Sequence, residues 1–345
     1  MTKSAVLVLG ANGRLGDAAV NAFSEAGWRV LAQARRAPSK TLPAGAQALS
    51  LPLDDITGLV KAAQGASTVI YAINPAYPDW DSKLLPLARL GMEIAQQLDA
   101  SFMLPGNVYN FGEEMPSVLT EQTVQHPSNR KGELRRQLER EMSDRATQGL
   151  RGIVLRAGDF YGGGSGSWMD QLIVKDLARG KLAYPGPMDV PHAWAYLPDL
   201  ARAFVALASR TENLRAKSVA TLHEAGAGTI RRGRAGLEKG SFESFGFEGH
   251  TFTGQELIRH IEDAAGALEV QAAQGFRIGG MPWALIRIVG TVYPLWRELA
   301  RMSYLWRVPH RLDGRALEQT IGPLMSTEPK RAMRETLLAL GFGKV

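Results

Sequence analysis

The stretch "VLVLGANGRLGDAAVNAF", residues 6–23, restricts the fold of this chain more than any other. It begins in "AVLVLG", an unbroken, β-branched apolar run of the kind found in a strand covered on both faces of a parallel sheet. Leu15, Ala19, Val20 and Phe23 then recur at helical spacing, and Gly27 provides a stop. Between strand and helix lie Gly10, Gly13 and Gly16, spaced G-x-x-G-x-x-G. Glycine admits the positive φ of a tight turn, and without a side chain it lets main-chain N–H groups approach a pyrophosphate. The helix N-terminus adds its positive partial charge. A plain strand-to-helix turn would need only one glycine. The expectation is a phosphate cradle formed by Gly10, Asn12, Gly13, Arg14, Leu15 and Gly16.

Up to residue 160 the same alternation repeats. "WRVLAQARR", "STVIYAI", "SFMLPGNVYNFG" and "LRGIVLRAGDFYG" read as strands, separated by helical patterns such as "LDDITGLVKAAQGA" and "NRKGELRRQLEREMSDRATQG". Such alternation predicts an α/β fold, a Rossmann-type doubly wound parallel sheet with helices on both faces. Residues 1–160 form the nucleotide-binding unit on this reading, with the sheet completed by segments of 180–210. Residues 161–345 form a smaller, mainly helical substrate lobe. Residues 221–250 carry seven glycines and the cluster Arg231, Arg232, Arg234 and Lys239 without periodicity, which reads as a mobile insertion.

The end of the second strand selects the coenzyme. Between Val30 and Lys40 there is no Asp or Glu to accept from an adenosine ribose, but there are Arg35, Arg36 and Lys40. A guanidinium can hold a 2′-phosphate in a bidentate fork that a carboxylate would repel, so NADP is expected ahead of NAD.

Composition closes off several alternatives. With no cysteine, disulfides, thiolate metal sites and a cysteine nucleophile are excluded. No His or carboxylate spacing suggests a metal site. The formal charge of +6 suits anionic cofactors, but its Lys and Arg are scattered and accompany no nucleic-acid motif. "MPWALIRIVGTVYPLWREL" is interrupted by Arg287 and Pro294 and falls short of a membrane span; it reads as a helix covering a core, ahead of a helix lying on a membrane surface. The start lacks a signal-peptide pattern, so a cytoplasmic protein is expected. Its expected partner is a small-molecule substrate, and a homodimer is compatible with the sequence.

Taken together, these segments resemble the extended or atypical short-chain dehydrogenase/reductase superfamily, in its NAD-dependent epimerase/dehydratase branch. "LGANGRLG" is similar to the cofactor loop, and "LDD" places Asp54 near the adenine. "VIYAINP" places Ala72, Ile73 and Asn74 on the nicotinamide side. "GNVYNFG", "LRAGDFYGGG" and "AWAYLPDLARAFVAL" resemble later family segments. The family's catalytic Tyr-x-x-x-Lys pair has no counterpart: Lys131 stands at the Tyr position, Arg135 at the Lys position, and Pro105 or Gly106 at the Ser position. Arg keeps its proton and Pro has no hydroxyl, so the usual relay cannot form. Lys131 and Tyr109 are the catalytic candidates, Lys131 also as a coenzyme contact, with Tyr161 a further candidate acid. His192, Trp194 and Tyr161 are expected at the substrate. The resulting expectation is an NADP-dependent oxidoreductase or epimerase-like enzyme; the alternative is a non-catalytic NADP sensor.

Overall fold

The computed structural model describes residues 4–36, 41–224, 240–270 and 275–343. The first half runs β1 (Ala5–Leu9), α1 (Arg14–Glu25), β2 (Arg29–Gln33), β3 (Ala46–Leu49), α2 (Ile56–Ala62), β4 (Thr68–Tyr71), α3 (Trp80–Gln97), β5 (Ser101–Gly106), β6 (Val118–Leu119), α4 (Arg130–Ala146), β7 (Arg151–Arg156) and β8 (Asp159–Tyr161). The second half runs β9 (Lys181–Tyr184), β10 (His192–Tyr196), α5 (Leu197–Glu224), β11 (Ser241–Gly246), β12 (His250–Phe252), α6 (Gly254–Ala267), β13 (Arg277–Gly280), α7 (Trp283–Val289), α8 (Pro294–Arg301), β14 (Arg311–Leu312), α9 (Arg315–Ile321) and α10 (Pro329–Ala339).

Seven parallel strands form the central sheet in the order β11-β7-β5-β4-β1-β2-β3. All five residues of β1 are buried because each face of the sheet has its own cover. Leu7 and Leu9 point into a cluster with Leu59, Leu84, Met92 and Leu138 of α2, α3 and α4. Val6 and Val8 point the other way, against Ala19, Phe23, Phe204 and Leu207 of α1 and α5. Each such aliphatic side chain contributes about 1.5–3 kcal/mol by leaving water. A third cluster, built from β8, β10, β12, α6 and α10 around Trp194 and Trp306, makes the smaller lobe.

Two boundaries differ from expectation. The sheet is completed by Ser241–Gly246, not by segments of 180–210: β10 joins a separate three-stranded sheet, β12-β10-β8, and the following α5 packs against α1. The segment read as a mobile insertion therefore divides. Its residues 241–246 pair with β7 as an edge strand, while Arg231, Arg232, Arg234 and Lys239 lie outside the described residues. Because chain from beyond residue 160 enters the main sheet, the two lobes are not separate stretches of sequence. No helix among the described residues is long and apolar enough to cross a membrane.

Candidate functional site

The strand order reverses between β1 and β4, and in a doubly wound sheet that point leaves a crevice at the strand ends. Here it opens into a cleft of about 1410 Å³. Gly10 has φ of +86°, and a Cβ on it would come within 2.9 Å of Ile73 Cγ1. Gly13 precedes α1, and no side chain caps the helix, so the amides of the first turn keep their donor capacity facing the cleft. Gly16 does a different job: a Cβ there would overlap the carbonyl oxygen of Gly10, so it sets how closely α1 packs on the turn. Gln33, which the sequence reading passed over, anchors the turn from β2. Its carbonyl accepts from the N–H of Gly10 and of Ala11 at 3.0 and 2.9 Å, and its side chain donates to the Leu51 carbonyl at 2.7 Å.

Gly10, Asn12, Gly13, Arg14 and Leu15 line the cleft, with Arg35 and Arg36 exposed at its rim just past β2. Lys40 lies outside the described residues. Asp54 is exposed and outside the cleft, whose wall there is Leu53; the next residue, Asp55, turns the chain into α2 by accepting from the Gly58 N–H at 3.0 Å. Arg14 reaches across to the Phe160 carbonyl at 3.1 Å, tying the cradle to β8. Burial lowers its pKa, against the opposing pull of Asp170 and Asp159.

On the far wall, Ala72, Ile73 and Asn74 line the cleft. Arg135 points into it from α4, buried, with Nη1 on the Pro105 carbonyl at 3.3 Å, Nη2 on Asn74 Oδ1 at 3.4 Å and its guanidinium 4.9 Å from the Trp80 ring centre. Its Nε has no hydrogen-bond partner among the described residues. Lys131, by contrast, does not line the cleft. Its Nζ donates to the Tyr77 carbonyl at 2.9 Å, pairs with Glu298 at 2.9 Å and lies over the rings of Tyr77 and Trp80.

Tyr109 does line the cleft, and its hydroxyl meets that of Tyr77 at 2.6 Å. Burial pushes Tyr77 up to about 12, against the opposing effect of the Tyr109 hydrogen bond. Burial also raises Tyr109 well above its ordinary value, assisted by Tyr77 and Asp159. Both are therefore neutral phenols at physiological pH, able to donate hydrogen bonds.

The three expected substrate residues do not line the cleft. Trp194 is core. Tyr161 is buried, its hydroxyl 2.6 Å from His250 Nδ1, while His250 Nε2 lies 2.9 Å from the Thr327 carbonyl. A carbonyl only accepts, so Nε2 carries the hydrogen and Tyr161 donates to Nδ1. His192 is buried as well, stacked on Trp306 with ring centres 4.4 Å apart. Its Nε2 nevertheless sits 2.9 Å from Asp159 Oδ2, and Asp159 lines the cleft. Asp159, the one acidic residue of "LRAGDFYG", is a cleft residue that the sequence motifs do not single out, and neither Tyr77 nor Glu298 belongs to a motif. Among the described residues no His, Asp and Glu cluster could hold a metal ion.

Residues 2–100 match the model of the NmrA-like family. Among solved structures, an L-threonine dehydrogenase from Clostridium difficile superposes with a TM-score of 0.68 at 18% identity, covering 99% of this chain and 100% of that one. A UDP-glucose 4-epimerase from Thermotoga maritima gives 0.66 at 15% identity, covering 97% and 98%. MoeE5, solved with UDP-glucose and NAD, gives 0.65 at 17%, covering 97% and 98%. No curated protein sequence matches. The resemblance read from the motifs is thus borne out at the level of the fold: the chain is similar to the NmrA-like family over its first hundred residues, and through nearly its full length it shares the fold of that L-threonine dehydrogenase, that UDP-glucose 4-epimerase and MoeE5.

Proposed function

We infer that the protein binds NADP and acts as an oxidoreductase or epimerase-like enzyme on a small carbonyl or hydroxyl compound. One observation carries this reading. The open glycine turn, the Arg35–Arg36 pair and the inward-facing Arg135 converge on a single cleft at the reversal of strand order. The residues fit the coenzyme: the positions where a Cβ would crowd the turn are glycines, and Arg135 carries a buried Nε with no hydrogen-bond partner among the described residues. Gly10, Gly13 and the first turn of α1 would hold the pyrophosphate, and Arg35 and Arg36 the 2′-phosphate. Ala72, Ile73, Asn74 and Arg135 would flank the nicotinamide ribose. When bound, the coenzyme supplies or accepts a hydride.

Proton exchange then falls to this chain's own groups. His192 Nδ1 faces the Leu305 carbonyl at 3.2 Å and must donate to it. One further hydrogen must lie between Nε2 and Asp159 Oδ2 to make the 2.9 Å contact a bond, so the pair holds a proton at the cleft wall. Asp159 is the exchanging group on this reading, positioned by His192; the Tyr77–Tyr109 hydroxyl pair, which spends one hydrogen on its own bond, has one left to donate. Lys131 has no part in it, being enclosed by Glu298 and Tyr77. The non-catalytic sensor reading draws its support from the same enclosure of Lys131 and from the missing Tyr–Lys pair.

Titration calorimetry with NADPH and NADH tests the binding. NADPH should bind more tightly, and Arg35→Asp should reverse the order. No heat from either coenzyme would overturn the proposal. Following nicotinamide absorbance with a panel of aldehydes, ketones and sugar nucleotides separates the two readings. Turnover that Asp159→Asn abolishes supports the enzyme; binding with no turnover on any compound supports the sensor.

A further inference from the structure

Seven of the nine exposed large apolar side chains among the described residues fall between 278 and 296. Five of them, Ile278, Leu285, Ile288, Val292 and Tyr293, lie clear of the cleft on the α7–α8 pair and the strand before it. Leu285, Ile288, Val292 and Tyr293 are each more than half exposed. The pair is firmly attached on its inner side. Ile286 is buried, Trp283 Nε1 donates to the Pro185 carbonyl at 2.6 Å, and Glu298 pairs with buried Lys131. Gly290 lets the two helices meet closely, since a Cβ there would lie 2.9 Å from Arg297 Cα. The outward apolar face is therefore held in place rather than loosely folded, and contiguous exposure of this kind marks an interaction surface.

Charge decides what that surface meets. Within 275–301 the cations are Arg277, Arg287, Arg297 and Arg301, all exposed, and the one acid is Glu298. Glu298 is already matched by Lys131 and by Arg301 at 2.9 Å. A second copy docking through the same face would bring these arginines against themselves, because a two-fold contact places each patch on its own image. A bilayer with anionic headgroups meets both features at once: it takes the apolar side chains at the acyl boundary and the guanidiniums at the phosphates. We propose that the α7–α8 face docks on the surface of an anionic membrane. Leu295 and Trp296 also belong to the lining of the cleft, so the docked face adjoins the cleft rim. The docking does not depend on the coenzyme reading.

The test is cosedimentation of the full chain with vesicles of phosphatidylcholine alone or with about 30% phosphatidylglycerol, alongside analytical ultracentrifugation without lipid. With about one kcal/mol, or fivefold, available per arginine at an anionic surface, binding to the phosphatidylglycerol vesicles should exceed binding to neutral ones by about tenfold or more. High salt should reduce it, I288D/V292D should abolish it, and Arg287→Glu should weaken it several-fold. Both alter outer-face residues, and circular dichroism confirms that the variants fold. Three outcomes overturn the proposal: no binding to either vesicle, equal binding to both, or binding that survives I288D/V292D. A lipid-independent dimer dissolved by I288D/V292D would assign the face to a second copy instead.

Discussion

Replacing Lys131 by Met separates a structural lysine from a catalytic one. The side chains of Lys131 and Glu298 are only 4% and 14% exposed, so their ion pair is shielded from water. Removing one partner of a buried pair costs about 3–5 kcal/mol, because the other charge is left uncompensated. Glu298 keeps Arg301, a half-exposed partner, which puts the expected loss near the lower end, at about 3 kcal/mol. The ammonium also lies 4.9 Å from the Tyr77 ring centre and 5.4 Å from that of Trp80, adding about 1 kcal/mol. The total expected for Lys131→Met is therefore about 4 kcal/mol. Glu298→Gln should cost about half as much, since the lysine keeps the Tyr77 carbonyl and both rings. The double variant, with no stranded charge, should fall short of the sum by about 1–2 kcal/mol. Urea unfolding of the four proteins measures the cycle. A Lys131→Met protein within about 0.5 kcal/mol of the parent, or strictly additive losses, would refute the claim that this pair pins α8 to α4.

Two further outcomes follow from the same structure. Burial, with neighbouring His192 acting in the same direction, lowers His310 to about 4 from its ordinary 6.5. The unfolded chain therefore takes up this proton first; stability is complete above about pH 6.5 and declines as pH falls toward 4, by about 3 kcal/mol. Unfolding curves at pH 7 and pH 4.5 should show this acid loss, and His310→Phe should reduce it; an unchanged pH dependence would exonerate His310. Gly16→Ala places a methyl on the Gly10 carbonyl, which should destabilise the fold by about 1–3 kcal/mol and weaken NADPH binding at least tenfold in calorimetry. An alanine variant that binds normally would mean that the turn and α1 need not pack so closely.

What could be read from the sequence was what is decided locally. The β1–turn–α1 unit shows itself because strand, glycines and helical spacing follow one another within twenty residues, and Gly10 and Gly16 each have a steric reason. β11 could not be read this way. "SFESFG" is half-buried at the sheet edge, so its apolar pattern is weak, and its partner β7 lies far back in the sequence. The same distance hid the fates of the candidate residues. Nothing near Lys131 announces Glu298, and nothing near Tyr161 announces His250, which is 89 residues away. Asp159 was within reach, as a lone carboxylate in a segment already placed at the pocket. Its pairing with His192 needed the strands β8 and β10 side by side.

The late arrival of β11 bears on how the chain comes into being. Until Ser241–Gly246 have been synthesised, one flank of β7 presents its amides and carbonyls to water or to any passing strand. A nascent chain emerging from the ribosome must carry that adhesive margin for nearly a hundred residues of elongation. Cutting the gene after codon 160 would leave it permanently bare.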